Sequence, residues 1–369
     1  MDVLVTDGMM KKSLAVVRSI APVSRRTGVV AAHRPSMAGI SRYADRQHRV
    51  GRRGPETFVL ALNVVIERFD YDCLLPVGGW TTNALAEHRA DLSDRVDVVL
   101  PDGESMRVAQ QKLATYALGK RLGVPVPETL QLTPSTTEEQ VDRVGFPAVV
   151  KAPTEVAPRY VEYVESGAGA RAAADDYRRR HGRDPLLQAR LHGDGCGFFA
   201  LYLDGGCVGG YSHRRVREYP PSGGVSACAV SRVDEQLADL GTTLLDDLEW
   251  NGPVMVEFKR DRDETPKLIE INPKLWGSLD LGIASGCDFP AALLRYLDTG
   301  EHPEFSFSTQ RYHWPLSGDI QSAFHRPQLA PDVVRDLLSA ETSSNLSATD
   351  PLPNALELAK AVLSPIVDA

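Results

Sequence analysis

The chain of 369 residues is expected to be α/β plus α+β: a parallel-sheet domain over residues 1–100, a mainly antiparallel module over 101–310, and a mainly helical segment over 311–369. Three observations predict this. Up to residue 100, strand-like apolar runs alternate with helix-periodic ones, the pattern of a parallel sheet with crossover helices. From about residue 185, apolar runs follow one another directly, as antiparallel strands do. The length calls for two or three subdomains rather than one small core.

In order, "DVLVTDG" reads as a strand ending at Gly8, and "KKSLAVVRSIAP" as a helix by its apolar spacing. "TGVVAAH" is a second strand, "ETFVLALNVVIERF" a helix, "YDCLLPVGG" a third strand, "WTTNALAEHRADL" a helix and "DVVLPDG" a fourth strand. Such sheets bind ligands at the carboxyl ends of their strands, here near Gly8, Ser41–Arg42 and Gly78–Gly79. No G-x-G-x-x-G follows the first strand, which argues against a dinucleotide site. "SMRVAQQKLATYALGKRLGVPVPET" reads as one helix stopped by Gly123 and two prolines. "FPAVVKAP" and "RYVEYVES" are strands, "GARAAADDYRRRHG" a helix, and "PLLQARLHG" and "FFALYLDGGCVGGYSHRRVREYP" further strands.

Composition narrows the function. The chain is 43% hydrophobic and 24% charged with a net charge of −8, so no basic excess points to nucleic acid. Five scattered cysteines without a C-x-x-C favour neither a disulfide scaffold nor a zinc site, and a reducing cytoplasm is expected. No apolar run reaches the roughly 18 residues of a spanning helix, so no membrane partner is expected. The 32 arginines outnumber the 9 lysines, which makes each lysine at a motif position worth noting.

The stretch "VMVEFKRDRDETPKLIEIN" (254–272) carries a glutamate at the centre of each of two apolar strands. With a turn centred on Asp263–Glu264, Glu257 lies opposite Glu270, and like charges so placed destabilise a sheet. Asn272 shares the face of Glu270, as does Lys274 if the strand continues. One reading is a half-exposed hairpin whose glutamates face water. The other is an oxygen site for a hard divalent cation such as Mg²⁺. In "HRRVRE" (213–218), Arg215 and Arg217 are expected on one strand face, where guanidinium groups can hold carboxylate or phosphate; a solvated strand is the alternative. His213 is either a base or a structural residue.

"EFKRD…KLIEINPKLWGSLDLGIASGCDFP" resembles the carboxy-terminal part of the ATP-grasp superfamily, in which E-F…E-(I/V)-N-P-R-x-W-G-S recurs. The resemblance spans roughly residues 1–300, as a pre-ATP-grasp domain and a two-subdomain ATP-grasp fold, and is nearest the carboxylate–amine ligase branch. It implies ATP and Mg²⁺ (or Mn²⁺) as cofactors, with Glu257, Glu270 and Asn272 as metal ligands. Lys112 and Lys151 match the lysines that neutralise the nucleotide's phosphates, and Gln188, Ala189, Arg190 and Leu191 the hinge strand that reads adenine. The acidic residue often found there for ribose is absent; Asp194 is its substitute. Arg215, Arg217 and Lys274 would spread charge at the reacting phosphoryl group, Lys274 standing where the family commonly has arginine. The loop "APTEVAPRY" (152–160) has two prolines and no glycine where relatives have a glycine-rich flap, with Arg159 as a stand-in. A lid over about 125–190 follows from the resemblance. The implied function is an ATP-dependent, ADP-forming ligase joining a small carboxylate to an amine through an acyl phosphate, with a homodimer compatible. A bicarbonate-phosphorylating enzyme and a catalytically impaired ATP-binding regulatory module are the alternatives.

Overall fold

The computed structural model describes residues 1–154, 160–220 and 224–367, with side chains described as far as residue 360. At the amino terminus β1 (Asp2–Val5), α1 (Lys11–Ile20), β2 (Arg26–Ala31), β3 (Arg46–Arg49), α2 (Pro55–Phe69), β4 (Cys73–Leu75) and α3 (Gly79–Glu87) follow in order. The strands form a parallel sheet in the order β3-β2-β1-β4. Sequence reading missed β3. It is the edge strand, and of "RQHR" only His48 is buried, so no apolar run announces it. The expected strand "DVVLPDG" does not form; a single bridge from Cys73 to Asp97 is all that pairs there.

The helix expected over "SMRVAQQKLATYALGKR" is two, α4 (Gly103–Gln110) and α5 (Lys112–Arg121). Gln111 between them is extended (φ −103°, ψ 105°) and bridges Thr154, and the Lys112 amide donates to Pro153 O at 3.1 Å. Docking of the segment after β6 therefore restarts the helix at Lys112. Next come β5 (Thr129–Gln131), α6 (Glu138–Val144), β6 (Ala148–Lys151), β7 (Val161–Val164), α7 (Gly167–His181) and β8 (Leu186–Ala189). They form a separate antiparallel sheet, β5-β8-β6-β7, against which Val141, Val144, Ala170 and Ala174 of the two helices pack.

The largest sheet has seven strands: β9 (Gly195–Leu203), β10 (Gly206–Tyr219), β11 (Val225–Arg232), β12 (Gly252–Arg260), β13 (Pro266–Asn272), β14 (Arg311–His313) and β15 (Thr342–Ser344). Their order is β13-β12-β9-β10-β11-β14-β15. Alternation sorts its two faces. Phe198, Ala200, Tyr202, Val254, Val256 and Phe258 share one core with α4, α5 and α8 (Glu235–Asp247). On the other face Phe199, Leu201, Leu203, Tyr211 and Met255 pack against α1, α9 (Leu279–Ala284), α10 (Phe289–Thr299) and the parallel sheet. That second core joins the amino-terminal domain to the large sheet.

The carboxy-terminal segment is not wholly helical. Besides α11 (Ile320–His325), α12 (Ala330–Leu338) and α13 (Pro351–Val367), it supplies β14 and β15. It also returns to the first domain. Asp350, 1% exposed, accepts hydrogen bonds from Ser41 Oγ (2.8 Å), the Arg42 amide (2.9 Å) and Arg18 Nε (2.9 Å). The Ser41–Arg42 position expected for a ligand is thus filled by the chain's own carboxylate. Replacing it leaves Arg18 and two donors without their acceptor, so Asp350→Ala is expected to lower stability by about 3 kcal/mol, read as a fall in the urea midpoint at constant slope.

Candidate active site

The hairpin register places Glu257 directly opposite Glu270. The pairing Arg260–Pro266 centres the turn on Asp263, half a residue earlier than expected, and a bulge at Ile269 restores the carboxylate pair. The glutamates are not left to bulk water: their side chains are mostly buried and paired. Glu270 accepts from Lys112 Nζ at 2.8 Å and from Asn272 Nδ2 at 2.8 Å, and Glu257 accepts from Arg215 Nη2 at 2.7 Å. Burial pushes both carboxyls up; for Glu270 the Lys112 and Lys274 charges more than offset it and hold it below the usual range, whereas Glu257, with Arg215 opposing burial and Glu270 adding repulsion, stays above.

The sheet face explains how Arg215 reaches Glu257. Along β9 the inward residues run Leu203, Leu201, Phe199, then Gly197 and Gly195; Glu257 and Lys259 lie beside the two glycines on β12, and His213 beside Gly197 on β10. Apolar packing ends at Phe199, and a groove without side chains begins. Arg215 crosses it: a Cβ at residue 195 would stand 3.0 Å from Arg215 Nη1. Only glycine lets a β10 arginine span two strand spacings, about 9.5 Å, to β12. His213 is buried in this row against Phe199, with Ser278 Oγ 3.4 Å from Nδ1 and no partner for Nε2 among the described residues. Burial and the Arg215 charge hold its imidazole well below the usual value.

Lys112 and Tyr116 lie one turn apart on α5 and face β13 together. Lys112 takes Glu270, while the Tyr116 hydroxyl donates to Ile269 O (2.8 Å) and accepts from Lys151 Nζ (2.7 Å). Lys151, at the end of β6, also donates to Gln188 Oε1 (2.9 Å); burial lowers it to about 8 although Glu270 and Glu257 pull the other way. Gln188 therefore orients a lysine rather than presenting backbone only. Of the expected hinge, the Ala189 and Arg190 amides are taken by Glu128 O (2.9 Å) and Pro147 O (3.1 Å), and Arg190 lies over Tyr163. The Leu191 N–H has no protein partner among the described residues. Asp194 lines the cleft of about 780 Å³ that opens between β7 and the large sheet, together with Arg215, Glu257 and Lys259. Arg159 of the flap lies outside the described residues.

Arg217 corrects an expectation. A bulge at Val216 puts Arg215 opposite Ala229 and Arg217 opposite Cys228, so the two arginines do not share a face. Arg217 is buried on Asp319 (2.5 and 2.7 Å) and Asp336 (2.5 Å), where Arg311 and His313 complete the network. Its guanidinium ties the carboxy-terminal helices to β10.

Residues that sequence reading passed over stand at the carboxyl edge of the parallel sheet. Asp7 accepts from the Gly78 amide (2.7 Å) and Thr81 Oγ1 (2.9 Å) and pairs with Arg52. Lys12 Nζ donates to Leu275 O (2.5 Å), and a Cβ on Gly79 would come within 3.0 Å of the Lys274 side chain. Burial, with the Lys274 charge, lowers Lys12 to about 7; burial also lowers Lys274. The "DG" of the first loop and the "KK" that opens α1 were the available signal, but each pair is common in ordinary sequences.

The carboxylates, Asn272 and the lysines Lys112, Lys151 and Lys274 thus come together between two antiparallel sheets. Among the described residues no three His, Cys, Asp or Glu side chains gather as a metal site. Two carboxylates and a carboxamide oxygen fit a hard cation whose other ligands arrive with a phosphate.

This architecture is similar to that of several solved ligase and carboxylase structures. A Campylobacter jejuni biotin carboxylase in complex with β,γ-ATP matches with a TM-score of 0.67 at 16% identity, over 84% of this chain and 74% of that one. The biotin carboxylase domain dimer of Hydrogenobacter thermophilus 2-oxoglutarate carboxylase, in complex with MgADP, ADP and bicarbonate, matches with a TM-score of 0.65 at 16% identity, over 83% and 71%. An L-amino acid ligase from Bacillus licheniformis matches with a TM-score of 0.60 at 13% identity, over 81% and 74%. No curated protein matches the sequence. Residues 213–314, which hold Arg215 and the hairpin, match the family model described as ATP-grasp in the biosynthetic pathway with Ter operon. The resemblance to the ATP-grasp superfamily and the expected fold class are borne out.

Burial lowers Lys151 to about 8, and a bound polyphosphate should raise it again. The affinity for MgADP is expected to fall as pH rises through about 8, by no more than tenfold per unit, with proton uptake on binding. Calorimetry in buffers of different ionisation enthalpy checks this, and Lys151→Arg should flatten the slope.

Proposed function

We propose that the chain is an ATP-dependent, ADP-forming carbon–nitrogen ligase. The observation that carries this reading is the convergence of Lys112, Lys151, Lys274 and Arg215 on the facing carboxylates Glu257 and Glu270. Four cations around an oxygen-rich groove suit a triphosphate, whose transfer asks the protein mainly for position and charge neutralisation. The two sheets would hold the nucleotide, with the Leu191 amide at the adenine edge and Asp194 near the ribose. Glu257, Glu270 and Asn272 would hold Mg²⁺ (Mn²⁺ is chemically equivalent here), which supplies charge neutralisation on phosphate oxygens.

A carboxylate substrate attacks the γ-phosphorus, forming an acyl phosphate and releasing ADP. An amine then attacks the acyl carbon, the C–O bond to phosphate breaks, and amide, phosphate and a proton leave. Lys274 and Lys12, amines at the junction with the parallel sheet that a bound anion would keep protonated, would hold the carboxylate; Arg215 would spread charge on the transferred phosphoryl group. Arg217 has no part in this scheme, because Asp319 and Asp336 occupy it. The likeness to the bicarbonate complex favours a second reading, in which bicarbonate is the carboxylate. A homodimer and a cytoplasmic location fit either reading. No helix among the described residues is long and apolar enough to cross a membrane.

Pairwise screening of amino acids and small carboxylates for joint release of ADP and phosphate tests the ligase reading. ADP release that needs bicarbonate alone would favour the second, and nucleotide binding without turnover under any pairing would leave a regulatory module. Glu270→Ala is expected to lower turnover at least about 10²–10³-fold; full turnover by that variant overturns the metal assignment.

A further inference from the structure

We propose that the divalent-ion site is masked by the chain's own cations until a nucleotide arrives. Lys112 on Glu270 and Arg215 on Glu257 exclude a lone divalent ion. A polyphosphate draws both cations onto itself and so exposes the carboxylates to the ion it carries. This rests on the metal assignment of the proposed function and adds a dependence of that site on its ligand.

The geometry that carries it is the pairing itself. Both carboxylates are engaged at hydrogen-bond distance, 2.8 Å and 2.7 Å, by side chains that are only 9% and 15% exposed. Such pairs, mostly out of water, are not surrendered cheaply: removing one partner leaves an uncompensated charge. Arg215 is held to its task by construction, since Gly195 clears its path across β9 and its Nη1 donates to Glu218 Oε1 at 3.1 Å.

The charge count points the same way. Glu257, Glu270 and Glu218 face Lys112, Arg215, Lys151 and Lys274. A bare divalent ion would add two positive charges to a site already in slight cationic excess. Charges a few ångströms apart, screened only as near a protein surface, still interact strongly enough to oppose such an ion. A nucleotide's phosphates reverse the sign: they offer Lys112 and Arg215 an alternative partner and bring oxygen ligands for the ion. Linkage then requires that nucleotide and metal each raise the other's affinity by the same factor.

Equilibrium dialysis against Mn²⁺, with protein-bound metal read by electron paramagnetic resonance, tests this with and without saturating ADP. In the wild type, ADP is expected to raise the affinity for Mn²⁺ at the site removed by Glu270→Gln by at least about 30-fold, within the usual range of coupling. Without ADP, Lys112→Met and, separately, Arg215→Met should each bind Mn²⁺ at least about tenfold more tightly than the wild type, with folding checked by circular dichroism. Equal Mn²⁺ affinity with and without ADP overturns the masking and leaves the metal site standing. Failure of either folded variant to gain nucleotide-free affinity overturns it too. If no Mn²⁺ is protein-bound even with ADP, the metal assignment fails and the masking with it.

Discussion

Two carboxylates held face to face on neighbouring strands repel one another, and burying them sharpens the repulsion. Everything around Glu257 and Glu270 answers that constraint. Lys112 stands at the start of a helix that breaks at Gln111, so its ammonium reaches Glu270. Arg215 crosses a strand stripped of side chains to meet Glu257. Replacing either carboxylate by an apolar residue would relieve the repulsion but strand a buried cation. The pairs therefore hold one another in place.

The same sheet face serves packing and chemistry at its two ends. Along β9, Leu203, Leu201 and Phe199 seal the amino-terminal domain onto the sheet, and the next two inward positions are glycines. Rigid packing at one end thereby fixes the groove at the other. The second sheet contributes Lys151 and Gln188 across the cleft, joined to β13 through the Tyr116 hydroxyl. That chain of hydrogen bonds couples the small sheet to the carboxylate pair, so the position of one is felt at the other.

At its far end the chain ties itself to its beginning. Arg217 anchors the carboxy-terminal helices through Asp319 and Asp336, and Asp350 fills the Ser41–Arg42 position of the parallel sheet. Both networks are buried and ionic, and they hold rather than react. They explain why an arginine two residues from Arg215 has a different task.

Periodicity alone carried the sequence far: alternating runs made the parallel sheet legible, and the spacing of Glu257 and Glu270 about a polar turn made their pairing legible, because strand register is set by local chemistry. The motif around Asn272 pointed to the fold. What the sequence could not carry were contacts between segments distant along the chain. A bulge at Val216 turned Arg217 away, although strict alternation would have kept it beside Arg215. Lys12 meets the loop after β13 only because α1 packs against α9 and α10, which follow that loop. The polar edge strand β3 exists through its neighbour, not its own composition. Local spacing thus determined which residues could face one another across a hairpin. Only the tertiary fold decided which cations meet those carboxylates, because that depends on helices and strands that lie 42 residues apart for Arg215 and Glu257 and 158 apart for Lys112 and Glu270.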